Sequence, residues 1–137
     1  MRFLLDTSAL LAHFRGEPGA DEVQELFDRE DAVILLCGVS LAEMARRLRE
    51  LGAPERSMWP IVGDDEGLAS EIVPVDAGIA RMADQITRQA IRRLPLADAL
   101  IAAAAVSREA ALVHRDAHMR SIPESQVRQL ELASTDR

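Results

Sequence analysis

The sequence contains no lysine at all; each of its 16 basic residues is arginine. Positive charge is scarce overall, since 23 acidic residues leave a net charge of −7 at pH 7. A protein that grips nucleic acid through loose electrostatics carries an excess of basic residues. That mode of binding is excluded here. A nuclease that masks its acids with metal is not excluded, because a bound cation is the largest charge in such a site. The single cysteine, Cys37, excludes an internal disulfide framework and fits a reducing compartment. It closes the apolar run Val33-Ile34-Leu35-Leu36, which suits a core thiol better than a nucleophile. Long apolar runs are also missing. The longest, residues 99–106, is far short of the roughly 20 residues that span a bilayer. The opening Met-Arg-Phe-Leu-Leu is cut by Asp6 before a signal-peptide core can form. The expectation is a soluble cytoplasmic chain with no membrane partner.

What is present is a chain of 137 residues, 48% of them hydrophobic, with no repeat, linker or low-complexity segment. That length supports one domain, residues 1–137, with a core of its own. Short apolar runs at residues 2–5, 32–37, 72–75 and 111–114 read as buried strands, with a weak fifth near 127–132. Between them lie helical stretches at residues 8–14, 21–29, 40–51, 55–68, 77–88 and 97–108. The stretch 55–68 holds Pro60 and Gly63 and reads as irregular. Strands alternating with helices predict an α/β fold: a three-layer α/β/α sandwich around a mostly parallel sheet of four to five strands. In such sheets ligands bind beyond the carboxyl ends of the strands. Asp6 follows the first strand and Asp116 the fourth, so both should lie at that edge.

Four acids stand out, each with an ordinary alternative. Asp6 sits between Phe3-Leu4-Leu5 and Ala9-Leu10-Leu11, where a charge is costly without compensation. It could cap a helix, although Thr7 and Ser8 compete for that position. Glu43 fits a capping box with Ser40, or an ion pair with Arg47 four residues on. Asp98 stands in the first turn of a helix that is apolar all round, where the helix dipole favours an acid and where it could also cap. Asp116 follows Leu112-Val113-His114-Arg115 and could be a strand-to-helix cap, the role read for Asp76. Carboxylates brought together repel and raise one another's pKa, a cost that a divalent cation relieves. Oxygen-only ligands favour magnesium or manganese over zinc. His13, His114 and His118 have no cysteine or histidine partners at zinc-ligand spacing, and His114 and His118 read as solvated surface residues.

The stretch Leu4-Leu5-Asp6-Thr7-Ser8-Ala9-Leu10 resembles the start of a PIN domain. Three later stretches agree in order and spacing: Val39-Ser40-Leu41-Ala42-Glu43, Leu96-Ala97-Asp98-Ala99-Leu100-Ile101-Ala102, and Leu112-Val113-His114-Arg115-Asp116-Ala117-His118. The likeness runs from Phe3 to about Leu132. Among PIN domains the chain most resembles the toxin half of VapBC-type toxin–antitoxin pairs. The resemblance implies an endoribonuclease that hydrolyses RNA phosphodiester bonds with a metal-activated water. It implies metal ligands, direct or through water, at Asp6, Glu43, Asp98 and Asp116, and one or two Mg2+ or Mn2+ ions. Ser8 and Thr7 would support the site. Arg115 and His114 are candidate substrate contacts, with Arg46, Arg47, Arg92, Arg93 and Arg120 as further basic residues near the motifs. Two positions depart from the family pattern: His114 replaces a usual Thr or Ser, and Met119 a frequent aromatic. The toxin likeness further implies an RNA substrate, a small antitoxin that masks the acidic edge, often with an arginine, and a homodimer. Met58-Trp59-Pro60-Ile61-Val62, with the only tryptophan, reads as core packing or as a partner surface.

Two other α/β families place Asp after the first strand. Haloacid-dehalogenase-like phosphatases need a second Asp where this chain has Ser8, and response-regulator receivers need a lysine. A different class of answer is a non-catalytic PIN-like module that binds RNA or a protein partner. Loss of an acid would favour it, and all four acids are present.

Overall fold

The computed structural model describes residues 1–133. Its elements run β1 (Arg2–Leu5), α1 (Thr7–Arg15), α2 (Ala20–Asp28), β2 (Val33–Cys37), α3 (Gly38–Glu50) and α4 (Glu55–Leu68). They continue with β3 (Glu71–Val73), α5 (Ala77–Gln89), α6 (Leu96–Ser107), β4 (Ala111–His114), a 3₁₀ helix (Ala117–Ser121) and β5 (Gln129–Glu131). The strands form one sheet in the order β3-β2-β1-β4-β5, and every neighbouring pair is parallel. The fold is the expected α/β/α sandwich, with five strands and no antiparallel pair among them.

Strand alternation divides the core into two layers. Leu4, Leu35 and Leu112 face one side and pack with α5 and α6. Phe3, Leu5, Ile34, Leu36 and Val113 face the other and pack with α1 to α4. The central strands are covered on both faces, so they read as continuous apolar runs. Cys37 is fully buried and free, and burial pushes its thiol pKa up, as fits a core thiol. In α6 the side chains of Ala99 and of Ala102 through Ala105 are inaccessible to solvent. Small side chains let this helix lie close to both the sheet and α5.

The boundaries differ from expectation at instructive places. Helix α1 is capped by Asp6, not by Thr7 or Ser8: the Ala9 N–H donates to Asp6 Oδ1 at 2.8 Å. Helix α3 starts at Gly38, directly after β2, so Ser40 already lies inside it and no capping box forms. Pro60 sits within an unbroken α4. Asp76 caps α5 through the Ile79 N–H, as expected. The 3₁₀ helix is an element the periodicity did not predict, and β5 is shorter than the expected stretch.

The chain leaves β1 for β2 and β3 on one side and later returns to place β4 on the other side of β1. The reversal opens a crevice at the carboxyl ends of β1 and β4. Leu5 pairs with Val113 there, and the Asp6 N–H donates to the Val113 carbonyl at 3.0 Å. Helices α3 and α6, which run back across the sheet, begin at this same edge.

Candidate active site

Each of the four acids is brought to the crevice by a different element. Asp6 follows β1, Glu43 stands in the second turn of α3, Asp98 is the third residue of α6, and Asp116 lies two residues past β4. Asp6 is only 2% exposed. Its Oδ1 accepts from both the Ser8 hydroxyl at 2.7 Å and the Ala9 N–H. Its cap role and its place in the cluster are therefore compatible, since both described bonds fall on one oxygen. Burial raises the Asp6 pKa from 3.8 to about 7, against the lowering effect of those bonds and with help from the charges of Asp116 and Asp98. Burial likewise raises Asp98 to about 6, aided by Asp116 and Glu43 and opposed by His118. These couplings join Asp6, Asp98 and Asp116 to one another and Glu43 to Asp98.

The ordinary explanations fare unevenly. Glu43 makes neither a capping box nor a pair with Arg47, which binds Glu50 instead. It accepts the Thr7 hydroxyl at 2.5 Å, and the Ser40 hydroxyl lies 3.3 Å from that same oxygen of Thr7. Asp98 caps nothing, because the residue before α6 is Pro95 and no side-chain cap bond is made there. Asp116 does cap, accepting the His118 N–H at 2.9 Å. The ion pairs of the described residues set arginines against Glu17, Glu71, Glu131 and other distant acids, not against these four. Among the described residues His118 is the one basic side chain set against them, beside Asp98 and Asp116.

Ser8 links two sides of the crevice, for its hydroxyl donates to Asp6 and accepts the Arg115 N–H at 2.9 Å. Thr7 does the same between α1 and α3. The expected substrate contacts are placed differently. The Arg115 guanidinium binds Glu17 at 2.7 Å and the Pro18 carbonyl, so it braces the α1–α2 turn. His114 is fully buried, not a solvated residue and not open to substrate. Its Nδ1 accepts the Asp116 N–H at 3.2 Å, which sets the proton on Nε2, facing Gln129 Oε1 at 2.9 Å. Burial lowers its pKa, in keeping with a neutral ring that orients Asp116.

Sequence reasoning missed the place of His118, and it named Arg46, Arg92 and Arg120 without placing them. His118 is exposed, but its Nδ1 lies 3.1 Å from Asp116 Oδ1 and 3.7 Å from Asp98 Oδ2. Arg46 shares a surface depression of about 240 Å3 with Glu43, Val39 and Ala42. Arg92 and Arg120 line a second, of about 210 Å3, with Ile91 and Ser121. The i+2 spacing of Asp116 and His118 was the only local signal for the first of these. Met119, the other departure from pattern, is fully buried in the α6-side core.

The donor set fits a divalent cation: carboxylates gathered at one edge, Asp6 buried and Asp98 half-buried with raised pKa, and no arginine paired to any of the four among the described residues. The sequence matches the model for the PIN domain over residues 3–125, and the chain belongs to that family. Within it the chain is VapC-like, as the solved structures that share its fold show. VapBC2 from Rickettsia felis, bound to a DNA fragment from its promoter, superposes with a TM-score of 0.76 at 16% identity, covering 97% of this chain and 100% of that one. VapBC-5 from Mycobacterium tuberculosis, of the VapBC family of toxin–antitoxin systems, gives 0.66 at 25% identity, covering 95% and 98%. VapC20 from the same organism, a toxin that cleaves the sarcin–ricin loop, gives 0.68 at 16% identity, covering 89% and 97%. No curated protein sequence matches the chain.

Proposed function

We propose that this chain is a divalent-metal-dependent endoribonuclease and the toxin of a type II toxin–antitoxin pair. One observation carries the reading. Asp6, Glu43, Asp98 and Asp116 come from four elements of a PIN domain to one sheet edge, with no arginine set against them among the described residues. Magnesium or manganese, one ion or two, suits these oxygen donors. A bound cation would supply a water of lowered pKa and positive charge for the phosphate. The chain's own residues prepare the site. Ser8 fixes Asp6, Thr7 fixes Glu43, His114 fixes Asp116, and the α6 dipole favours the charge of Asp98. Arg46, beside Glu43, and Arg92, on the connection that leads into α6, hold RNA phosphates. Purified protein is expected to cleave RNA only with added Mg2+ or Mn2+, and Asp6→Asn and Asp98→Asn should each abolish cleavage. Equal cleavage by wild type and both variants would reveal a contaminating nuclease and end the catalytic assignment.

The partners follow from the same likeness. The structures similar to this chain include toxins held by their antitoxins, which supports a small cognate antitoxin that covers the acidic edge. The RNA substrate and the free thiol of Cys37 fit a cytoplasmic setting. Among the described residues no helix is long and apolar enough to cross a membrane. In α4, Met58 and Val62 point into the core, whereas Trp59 is 54% exposed. The segment contributes to the core, and the exposed Trp59 supports a homodimer in which a second copy of the chain covers that face. Light scattering at micromolar concentration is expected to give twice the chain mass; a monomer would overturn this.

A further inference from the structure

The metal reading above rests on oxygen donors alone, yet the crevice holds a nitrogen donor beside them. One oxygen each from Asp98 and Asp116 and one ring nitrogen of His118 lie within 4.8 Å of one another. Donors that each sit about 2.1 Å from one ion can lie at most about 4.2 Å apart. The two distances from His118 Nδ1, 3.1 and 3.7 Å, meet that limit. Among the described residues nothing else engages the ring: His118 is tied to the 3₁₀ helix by its backbone N–H, which Asp116 accepts. The imidazole is 57% exposed, whereas the side chains of Asp98 and Asp116 are 14% and 27% exposed. The neighbouring histidine, His114, has both nitrogens occupied inside the chain and offers none to an ion.

We infer that His118 is a ligand of the divalent cation, so that this site is a mixed oxygen–nitrogen centre. The inference rests on the metal-dependent reading of the four acids and makes it more specific. Carboxylate and water suit both magnesium and manganese, whereas an imidazole nitrogen is a ligand for transition-metal ions and a poor one for the hard Mg2+. His118 therefore shifts preference away from Mg2+ and towards Mn2+. Its loss should weaken Mn2+ binding much more than Mg2+ binding.

The test is binding and spectroscopy of the full chain with Mn2+ and Mg2+, compared with His118→Ala and Asp98→Asn. The exposed ring makes no described contact with the core, so His118→Ala should fold as the wild type does. Wild type is expected to bind Mn2+ more tightly than Mg2+, and pulsed electron paramagnetic resonance of the Mn2+-loaded chain should show nitrogen-14 coupling from a directly bound imidazole. In His118→Ala that coupling should vanish and Mn2+ affinity fall by at least the roughly 10–100-fold that follows loss of an outer-shell partner. Wild-type Mn2+ binding with no nitrogen coupling, or with affinity unchanged in His118→Ala but lost in Asp98→Asn, would overturn the inference and leave the carboxylate site standing. No binding of either ion to wild type would overturn both.

Discussion

Asp6 shows how a single residue can be costly to the fold and useful to a site. Its carboxylate is buried, and burial holds its pKa at about 7 where an unfolded chain would have 3.8. The folded chain therefore keeps a proton that the unfolded chain gives up through this interval. Stability must fall as pH rises from about 4 and level off above about 7. Asp98 and Asp65 add losses of the same sign that end near pH 6, and His114, whose pKa burial lowers, opposes them up to about pH 6.5. Asp31, Glu55, Glu71 and Glu131 have lowered values, so their opposite contribution is complete below this range. A tenfold difference in proton affinity between the folded and unfolded chain corresponds to about 1.4 kcal/mol, so the loss at Asp6 amounts to a few kcal/mol. In a chelating buffer the melting temperature is expected to drop between pH 5 and pH 8. Asp6→Asn keeps an oxygen for Ser8 and Ala9 and should remove the part of the drop above pH 6, melting several degrees above wild type at pH 7.5. Saturating Mn2+ should raise the wild type and not Asp98→Asn. A flat wild-type profile would mean that the charges are already compensated within the chain.

At the scale of elements, α6 is the piece whose substitutions should run against intuition. Leu96 at its start is 70% exposed, whereas Ala103 in its middle has no accessible surface. Gaining a leucine at Ala103 should overpack the contact with the sheet and α5, at a cost of about 1–3 kcal/mol. Losing the leucine at Leu96 should change stability by about 0.5 kcal/mol or less. Urea unfolding checks both, with the midpoint of Ala103→Leu lowered and its slope unchanged. The burial of α6 was legible because its apolar run leaves no polar face. The strands were legible for a similar reason, since a two-sided apolar strand needs no partner residue to be recognised. Helix starts and side-chain roles were less so. Ser40 and Glu43 have the spacing of a capping box, but α3 begins two residues earlier, and both side chains turn to Thr7, more than 30 positions away in sequence. Arg115 was chosen for adjacency to Asp116, yet its partner Glu17 lies 98 positions away. Local rules describe what a residue does within a turn or two, and these bonds join elements that only the sheet order brings together. The 3₁₀ helix escaped notice because five residues are too few to show a period.

On the proposed reading, the whole molecule must bring a polyanion to an acidic edge while carrying a net charge of −7. General attraction cannot do this, so affinity has to come from a few placed cations and from the metal. Arg46 shares a surface depression with Glu43 on α3, and Arg92 stands on the α5–α6 connection, six residues before Asp98. Arg115, which lies next to Asp116 in sequence, is committed to Glu17. Each phosphate neutralised on a single strand contributes a slope of about −0.7 to log affinity against log salt. Two such contacts give a slope near −1.4, shallow beside that of a basic nuclease with many. At fixed Mg2+, RNA affinity measured across potassium chloride concentrations should show that shallow dependence. Arg46→Ala and Arg92→Ala should each weaken binding and flatten the slope by about 0.7. Arg115→Ala should leave the slope unchanged and instead lower the melting temperature, because it removes the brace between β4 and the α1–α2 turn. A steep slope in wild type, or a change of slope in Arg115→Ala alone, would show that RNA follows a different path across the surface.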